Sequence, residues 1–172
     1  IVHFLALLPR RRISRGMGFF ARIRLPAWFN QLVLRLYAWW YGVNTDEMVG
    51  EFSDYTSLDA FFTRPLIEGA RPISPGPDCL VSPVDGQVLL VDCVGESGVA
   101  LPGGQLCNIH KLLGENELPG PLDVAIIYLA PPDYHRVHHC CDGQVLRASY
   151  QPGRLWPVFP GAVRHVAELF EK

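Results

Sequence analysis

Apolar positions in the first part of the chain recur with helical spacing. Between Ala27 and Tyr41 they fall every three or four residues, and polar residues fall mostly on the other side, as in an amphipathic α-helix. Pro26 suits the first turn of such a helix, and Gly42 suits its end. We therefore predict a helix from Ala27 to Tyr41.

Two other segments also have helical patterns. Residues 5–20 predict one or two short helices of similar character. Breaks in them are expected at Pro9, Gly16 and Gly18. Thr56 or Ser57 is suited to cap a further helix that ends at Phe62, because a side-chain hydroxyl can accept hydrogen bonds from the free amides of a first turn.

Beyond Cys79 the pattern changes to short apolar runs bounded by Gly, Pro and Asp, which is typical of β-strands. The predicted strands cover 79–84, 87–94, 123–130 and 144–150. Two Asp-Gly pairs, Asp85-Gly86 and Asp142-Gly143, each precede a predicted strand and indicate a tight turn. A last short helix is predicted at 163–170.

These patterns indicate an α+β fold with three parts. An amphipathic, helical N-terminal region spans 1–64, a proline-rich connector spans 65–78, and a β-rich core spans 79–172. No strand follows the last predicted helix, so we expect an incomplete sheet whose open edges a further part of the protein would cover. The chain begins with Ile rather than Met, and we expect it to derive from a longer product.

Charge is distributed unevenly along the chain. Residues 1–45 contain seven arginines and no acidic residue, whereas all 17 acidic residues lie beyond them. An apolar content of 49% excludes a disordered polar tail, and no apolar run approaches the ~18 residues needed to cross a bilayer. The apolar patch precedes Arg10-Arg11-Arg12, and this order argues against a signal peptide.

The basic, Trp-rich leader, residues 1–42, has two interpretations. In the first, the aromatic stripe between Trp28 and Trp40 packs the helix against the body of the protein. In the second, the stripe lies in a lipid interface, where Trp and Tyr prefer the headgroup level and arginines meet anionic lipid. The charge asymmetry gives the second equal weight, so an anionic membrane surface, and not nucleic acid, is the expected partner.

Candidate chemistry is concentrated in residues 82–86, SPVDG, and 134–138, YHRVH. The plain interpretation of Asp85 is a turn residue. His135 and His138 are three residues apart and would share one face of a helical turn, and their plain interpretation is a partly exposed pair without a role. The alternative is an aspartate that orients a histidine acting as base, which requires a nucleophile.

The cysteines raise a third hypothesis. There are five, an odd number without framework spacing, and this indicates reduced thiols. Cys140 and Cys141 lie beside the two histidines, so the third hypothesis is a small zinc-binding domain around His135 to Cys141. Structural zinc sites usually use Cys-x-x-Cys pairs, which adjacent cysteines do not form, and we expect no metal.

Several motifs, in one order, resemble those of a known family. The strongest are SLDAFFTRPL at 57–66, GARPI at 69–73, SPVDG at 82–86 and YLAPPDYHRVH at 128–138. Further matches lie at 25–28, 41–47, 159–161 and 167–170. Together they resemble the pyruvoyl-dependent phosphatidylserine decarboxylases, and the resemblance extends over nearly the whole chain.

The resemblance implies an activity, a cofactor and a location. Members of this family are carboxy-lyases of phospholipid biosynthesis that convert phosphatidylserine to phosphatidylethanolamine and CO2. Their pyruvoyl group forms from a serine when the precursor cleaves itself at a Gly-Ser bond. They occur at bacterial cytoplasmic membranes and mitochondrial inner membranes, so peripheral membrane association is expected here.

The resemblance also implies roles for three residues. Asp85 and His138 would be the acid and base partners of the serine, with Asp85 holding the imidazole in the tautomer that accepts its proton. His135 would handle the substrate or return a proton to the α-carbon.

The sequence departs from the family pattern at one decisive point. It contains no Gly-Ser dipeptide, so the pyruvoyl-forming serine is expected on a C-terminal α chain, with the present chain as the N-terminal, β-chain portion and inactive alone. The alternative is a lipid-surface binding module that keeps the fold without the chemistry. Residues 95–122 also differ from the family pattern, and no site residue is assigned there.

Overall fold

The computed structural model describes residues 10–73, 76, 79–94, 98–100, 106–114 and 120–150. In chain order the elements are helix α1 (Arg10–Arg22), helix α2 (Ala27–Tyr41), a 3₁₀ turn (Phe52–Asp54), helix α3 (Leu58–Phe62), strand β1 (Gln87–Val94), strand β2 (Val99–Ala100), strand β3 (Leu106–Cys107), helix α4 (Ile109–Leu113) and strand β4 (Leu122–Tyr128). Helices together with small sheets confirm the α+β class. The helix predicted at 163–170 and the start of that at 5–20 lie outside the described residues.

The chain forms two compact units. One combines Met17–Gln87 with Ile127–Leu146, and the other is centred on Val88–Ile126. The candidate residues Asp85, His135 and His138 all belong to the first unit. Its core is therefore the one that positions the candidate site.

Helix α2 has the predicted bounds. Gly42 follows it with a φ of 70°, and its amide donates to the carbonyl of Ala38, a left-handed ending that favours glycine because no Cβ is present to clash. Pro26 lies one residue before the helix, not in its first turn.

Helix α1 differs from the prediction, because it continues through Gly16 and Gly18 without a break. A glycine in a helix costs about 1 kcal/mol relative to alanine, which weakens a helix but does not end one. No proline stands between residues 10 and 22 to remove a hydrogen bond. The prediction of breaks at Gly16 and Gly18 is therefore wrong.

Helix α2 packs with the face opposite to the aromatic stripe. Its buried residues are Asn30, Leu34 and Ala38, and the Asn30 side-chain amide donates to the Tyr55 carbonyl at 2.6 Å. Leu34 and Ala38 join a core completed by Val43, Tyr55 and Phe61. Within the part of the chain that the structure describes, the aromatic stripe therefore does not pack against the body, contrary to the first interpretation.

The second unit has a core of its own. Strands β1 and β4 pair in one two-stranded sheet, and β2 pairs antiparallel with β3, placing Val99 opposite Cys107. The buried residues are Val94, Val99, Cys107 and Ile109, against which β4 packs Val124 and Ile126. Strand β1 was predicted with these bounds, and β4 begins one residue earlier and ends two residues earlier than predicted.

Two predicted strands are absent from the described residues. Residues 79–84 are irregular, since Pro83 has no amide to offer a sheet. Residues 144–150 are irregular as well, and Leu146 and Tyr150 are almost fully exposed. Apolar alternation alone does not make a strand where no neighbour pairs with it.

Gly86 is the glycine on which the entry to β1 depends. Its φ is +126°, and a Cβ there would collide with the backbone carbonyl of Tyr128. Gly86→Ala should therefore lower the free energy of unfolding by about 1–3 kcal/mol, measured by urea denaturation of the complete gene product.

The second Asp-Gly pair supplies a matched control for this substitution. Gly143 has an ordinary φ, and nothing lies within 4 Å of its added Cβ. Gly143→Ala should therefore change stability by less than about 1 kcal/mol. Equal effects of the two substitutions would contradict the assignment of Gly86 as a conformationally required residue.

Candidate catalytic site

Two backbone hydrogen bonds bring the SPVDG and YHRVH segments side by side. The His138 amide donates to the Pro83 carbonyl at 2.8 Å, and the Val81 amide donates to the Cys140 carbonyl at 2.9 Å. Asp85 follows directly after this paired stretch. Residues far apart in sequence are thus held next to each other by the main chain.

The half-buried Asp85 carboxylate is bound by Arg71. The Arg71 Nε donates to Oδ1 at 2.8 Å and to Oδ2 at 3.0 Å, and Nη2 donates to Oδ2 at 2.6 Å. These charge-assisted bonds lower the pKa of Asp85, outweighing the opposite effect of burial. The backbone amide of Tyr134 also lowers the pKa of the carboxylate. Asp85 is therefore an ionised group at neutral pH.

Arg71 is itself held by a second acid. Its Nη1 donates to the Glu47 Oε2 at 2.9 Å and to the Ala70 carbonyl at 2.7 Å. The bonds to Asp85 and Glu47 raise the pKa of Arg71. Glu47, Arg71 and Asp85 thus form a continuous row in which a positive charge lies between two negative ones.

His138 is exposed, but its ring has a defined partner. The ring Nε2 lies 2.9 Å from the hydroxyl oxygen of Tyr134, and the two rings stack with centroids 5.5 Å apart. Tyr134 is only 7% exposed, so it offers a fixed support. An imidazole nitrogen in hydrogen-bond contact with a hydroxyl group is the pairing that proton transfer requires.

Tyr134 connects the two residues predicted as partners. Its backbone amide lowers the pKa of the Asp85 carboxylate, and its hydroxyl oxygen lies 2.9 Å from the His138 Nε2. Among the described residues, no direct hydrogen bond or ion pair joins the Asp85 carboxylate to the His138 ring. The structure thus places both candidates on one buried tyrosine, and their direct pairing stays a prediction.

His135 has a different environment. Its Nδ1 lies 2.9 Å from the Asp133 carbonyl, and because a carbonyl oxygen only accepts, Nδ1 carries a proton. In the neutral ring the acceptor nitrogen is therefore Nε2. The ring rests on Phe62, with centroids 3.9 Å apart. Residues 134–139 have no regular secondary structure, so the helical turn considered for the two histidines is not formed.

The segment that carries both histidines, residues 131–138, is called here the site loop. Three side-chain bonds fasten it to helix α2 and to the two residues that follow helix α3. The Tyr37 hydroxyl donates to the Pro131 carbonyl at 3.2 Å, and the buried Arg64 donates through Nη2 to the Pro132 carbonyl at 3.0 Å. In the other direction, the Arg136 Nε donates to the Thr63 carbonyl at 2.7 Å.

Sequence reasoning missed Arg71, Glu47 and Tyr134. In the sequence, Arg71 is notable only as part of the GARPI motif, and Tyr134 only as a neighbour of the two histidines. A buried tyrosine between two functional candidates has no spacing signal. Only its contacts reveal it.

The described part of the chain gives no support to a zinc site. No three His, Cys, Asp or Glu side chains within it come together in a way that could hold a metal ion. All five cysteines are free thiols. No helix in the described ranges is long and apolar enough to cross a membrane.

Comparison with known proteins gives a consistent result. Residues 58–172 match the family model described as phosphatidylserine decarboxylase. A phosphatidylserine decarboxylase proenzyme of Anaeromyxobacter sp. is 38% identical over 96% of this chain and 60% of its own length. The proenzymes of Myxococcus xanthus and Nitrosococcus oceani are 35% and 38% identical, over 95% and 96% of this chain and 60% and 56% of their own lengths. The chain thus spans about three fifths of the length of these curated relatives.

Proposed function

The chain belongs to the phosphatidylserine decarboxylase family, and from this premise we propose that it forms part of an enzyme that converts phosphatidylserine to phosphatidylethanolamine and CO2. The observation that carries the proposal is the arrangement around Tyr134, which has an ionised Asp85 on its backbone side and His138 at its hydroxyl group. Together with a serine, these groups have the composition of an acid–base–nucleophile triad.

The first task of these residues is self-cleavage of the precursor. His138 accepts the proton of the serine hydroxyl through its imidazole, and Asp85 stabilises the resulting imidazolium. His138 is exposed on the surface of the described residues, so an incoming segment can reach its ring. The serine is proposed to lie on the pyruvoyl-bearing α chain, which also completes the β-rich core.

His138 and His135 are the residues proposed to hold the pyruvoyl group that this reaction leaves. His138 already contacts a hydroxyl group, the same chemical group that a serine would present. When bound, the pyruvoyl group supplies the electron sink for loss of CO2. His135 is proposed to hold and return the proton at the α-carbon, through the Nε2 that its Asp133 contact leaves as the acceptor.

The helical region is proposed to bring the site to the lipid surface. The outward side of α2, called here the aromatic face, consists of Trp28, Phe29, Leu32, Leu36, Trp39 and Trp40, and all six are exposed. Exposed apolar patches of this size mark interaction sites, and Trp is favoured at the membrane interface. Five arginines of this region are exposed as well, namely Arg12, Arg15, Arg22, Arg24 and Arg35. Residues 1–42 would thus bind an anionic membrane surface peripherally, at a bacterial cytoplasmic or mitochondrial inner membrane.

Replacing the three tryptophans of the aromatic face should weaken this binding. The Trp28, Trp39 and Trp40 side chains are 73%, 76% and 74% exposed, so their loss should leave the fold intact. Because each buries a large apolar area in lipid, the triple Trp→Gln variant should bind vesicles at least about tenfold more weakly. Co-sedimentation with vesicles containing phosphatidylglycerol measures the effect.

Two exposed apolar residues outside the helices serve as the control. Ile73 and Leu80 are 76% and 79% exposed, and Ile73→Gln with Leu80→Gln should leave vesicle binding unchanged. Binding that falls equally in both variants, or in neither, would contradict the proposed membrane face. Added salt should weaken wild-type binding, since it screens the arginines.

The enzymatic proposal is tested on the complete product of the gene. Purified protein is incubated with phosphatidylserine in mixed micelles, and the release of CO2 and the appearance of phosphatidylethanolamine are followed. Protein that cleaves itself and forms both products supports the proposal. Protein that binds vesicles yet neither cleaves nor releases CO2 would instead be a lipid-surface binding module of the same fold, the alternative that the aromatic face favours.

A further inference from the structure

The contacts of Arg71 assign it a role that no motif gave. We propose that Arg71 is a positioning residue, which fixes the orientation and charge of the Asp85 carboxylate for its work with His138, and that Glu47 fixes Arg71 in turn. The inference rests on the proposed function, because a positioning role has meaning only if Asp85 and His138 act in the reaction.

The geometry of the Arg71–Asp85 pair is that of an orienting contact. Nε and Nη2 together contact both carboxylate oxygens, at 2.6 to 3.0 Å. A planar guanidinium bound at two points sets the plane of the carboxylate, which a single-point ammonium does not. An ionised carboxylate has about four acceptor positions, so the opposite edge of Asp85 stays available to the Tyr134 amide and the site.

Arg71 can act as a fixed support because its third nitrogen is also bound. Nη1 contacts Glu47 and the Ala70 carbonyl. The backbone around both residues is joined as well, since the Ile67 amide donates to the Glu47 carbonyl at 2.9 Å. The turn that follows has Gly69 at a φ of 79°. Glu47 and Arg71 are therefore held together both by their side-chain contact and by the backbone bond between Ile67 and Glu47.

The other groups near Asp85 do not replace this contact. Arg64 acts on the carboxylate through its charge in the same direction, but as the weakest influence, and the backbone amide of Tyr134 contributes less than Arg71. Glu47 forms an ion pair with Arg71, and as a second acid it cannot attract the Asp85 carboxylate. On the facing segment, His138 is hydrogen-bonded to Tyr134. Arg71 is thus the principal partner of Asp85 in the described structure.

Removing Arg71 should change both the rate and the pH dependence of self-cleavage in the complete gene product. In Arg71→Ala, a misplaced carboxylate should slow cleavage at least about tenfold at the pH optimum. Arg71 lowers the pKa of Asp85, so its loss raises that pKa, and the acidic limb of the pH–rate profile should move to higher pH. Arg71→Lys restores the positive charge, so the acidic limb should move part of the way back toward its wild-type position. The rate should stay low, because lysine does not restore the two-point contact with the carboxylate.

Two further variants separate positioning from general stability. Glu68→Gln removes an exposed negative charge three residues from Arg71 and leaves the contacts of Asp85 intact, so it should leave rate and pH profile unchanged. Glu47→Gln should move both in the direction of Arg71→Ala, but less. Circular dichroism confirms folding, and Arg71→Lys carries the test if Arg71→Ala does not fold.

The outcomes distinguish this inference from the proposed function. A wild type that neither cleaves itself nor releases CO2 contradicts the proposed function, and the inference fails with it. A wild type that cleaves while both Arg71 variants keep its rate and acidic limb overturns the inference alone. A slower Arg71→Ala with an unmoved acidic limb would also overturn it, because Arg71 would then not govern the charge of Asp85.

Discussion

Asp85→Asn and His138→Gln should each leave the complete gene product as an uncleaved precursor. Asparagine keeps the shape of the side chain but cannot stabilise an imidazolium, and glutamine cannot accept the serine proton as a base. Removal of one member of such a triad costs roughly 10⁴–10⁶ in rate. Gel electrophoresis over a time course should show two fragments from the wild type and one band from either variant.

The chain supplies a neighbouring control for each substitution. Asp142 belongs to the second Asp-Gly pair and His139 follows His138 directly, and both are exposed. Asp142→Asn and His139→Gln should cleave at the wild-type rate. Normal cleavage in both Asp85→Asn and His138→Gln would refute the roles proposed for these residues.

A blocked precursor also has a structural explanation that must be excluded. Asp85→Asn leaves the Arg71 charge with one acid instead of two, but Arg71 is 44% exposed and keeps its contact with Glu47. Water can therefore solvate the guanidinium, and we expect only a small loss of stability. If cleavage is blocked while the midpoint of urea unfolding is unchanged, the substitution acts on the chemical step and not on stability.

Helix α2 illustrates how far the sequence could predict the fold. Apolar spacing and Gly42 are local signals, and they predicted both ends of the helix correctly. The spacing indicated the wrong buried face, because it set the polar residues, Asn30 among them, opposite the aromatic stripe. The face is decided by Asn30, whose buried amide needs the Tyr55 carbonyl, 25 residues away. A polar group that is satisfied only by tertiary contact has no local signature.

The candidate site shows the same division. Asp85, His135 and His138 stood out because of their residue types and the motifs around them. Arg71 did not, because its contact with Asp85 spans the proline-rich connector, whose path the sequence does not specify. Strand predictions failed for a related reason, since residues 144–150 alternate like a strand but are irregular in the structure.

Phe61→Ala should cause the largest loss of stability among single substitutions in the first unit. Phe61 is fully buried, and its ring centroid lies 5.4 Å from that of Phe52, 5.5 Å from Tyr55 and 6.3 Å from Tyr37. Deleting a buried phenyl ring costs about 3–5 kcal/mol through lost burial and the cavity left behind. Urea denaturation at fixed pH measures the loss.

The contact of Arg64 with the Phe61 ring leads us to expect a loss of stability near the upper end of the range given for Phe61→Ala. Its guanidinium is buried and lies 5.5 Å from the centre of the Phe61 ring. Burial lowers its pKa, and its Nε and Nη1 have no hydrogen-bond partner within the described part of the chain. The ring face therefore stabilises a cation that is otherwise poorly compensated. Phe61→Leu, which fills most of the cavity without a ring face, should recover only part of the loss.

The same deletion on the surface provides the control and ties stability to function. Phe20 is 70% exposed, so Phe20→Ala should change the free energy of unfolding by less than about 0.5 kcal/mol. Phe61→Ala should also slow self-cleavage on warming, because Tyr37 and Arg64, which hold the site loop at Pro131 and Pro132, both pack on the lost ring. A Phe61→Ala variant within 1 kcal/mol of the wild type would show that this core does not support the site loop.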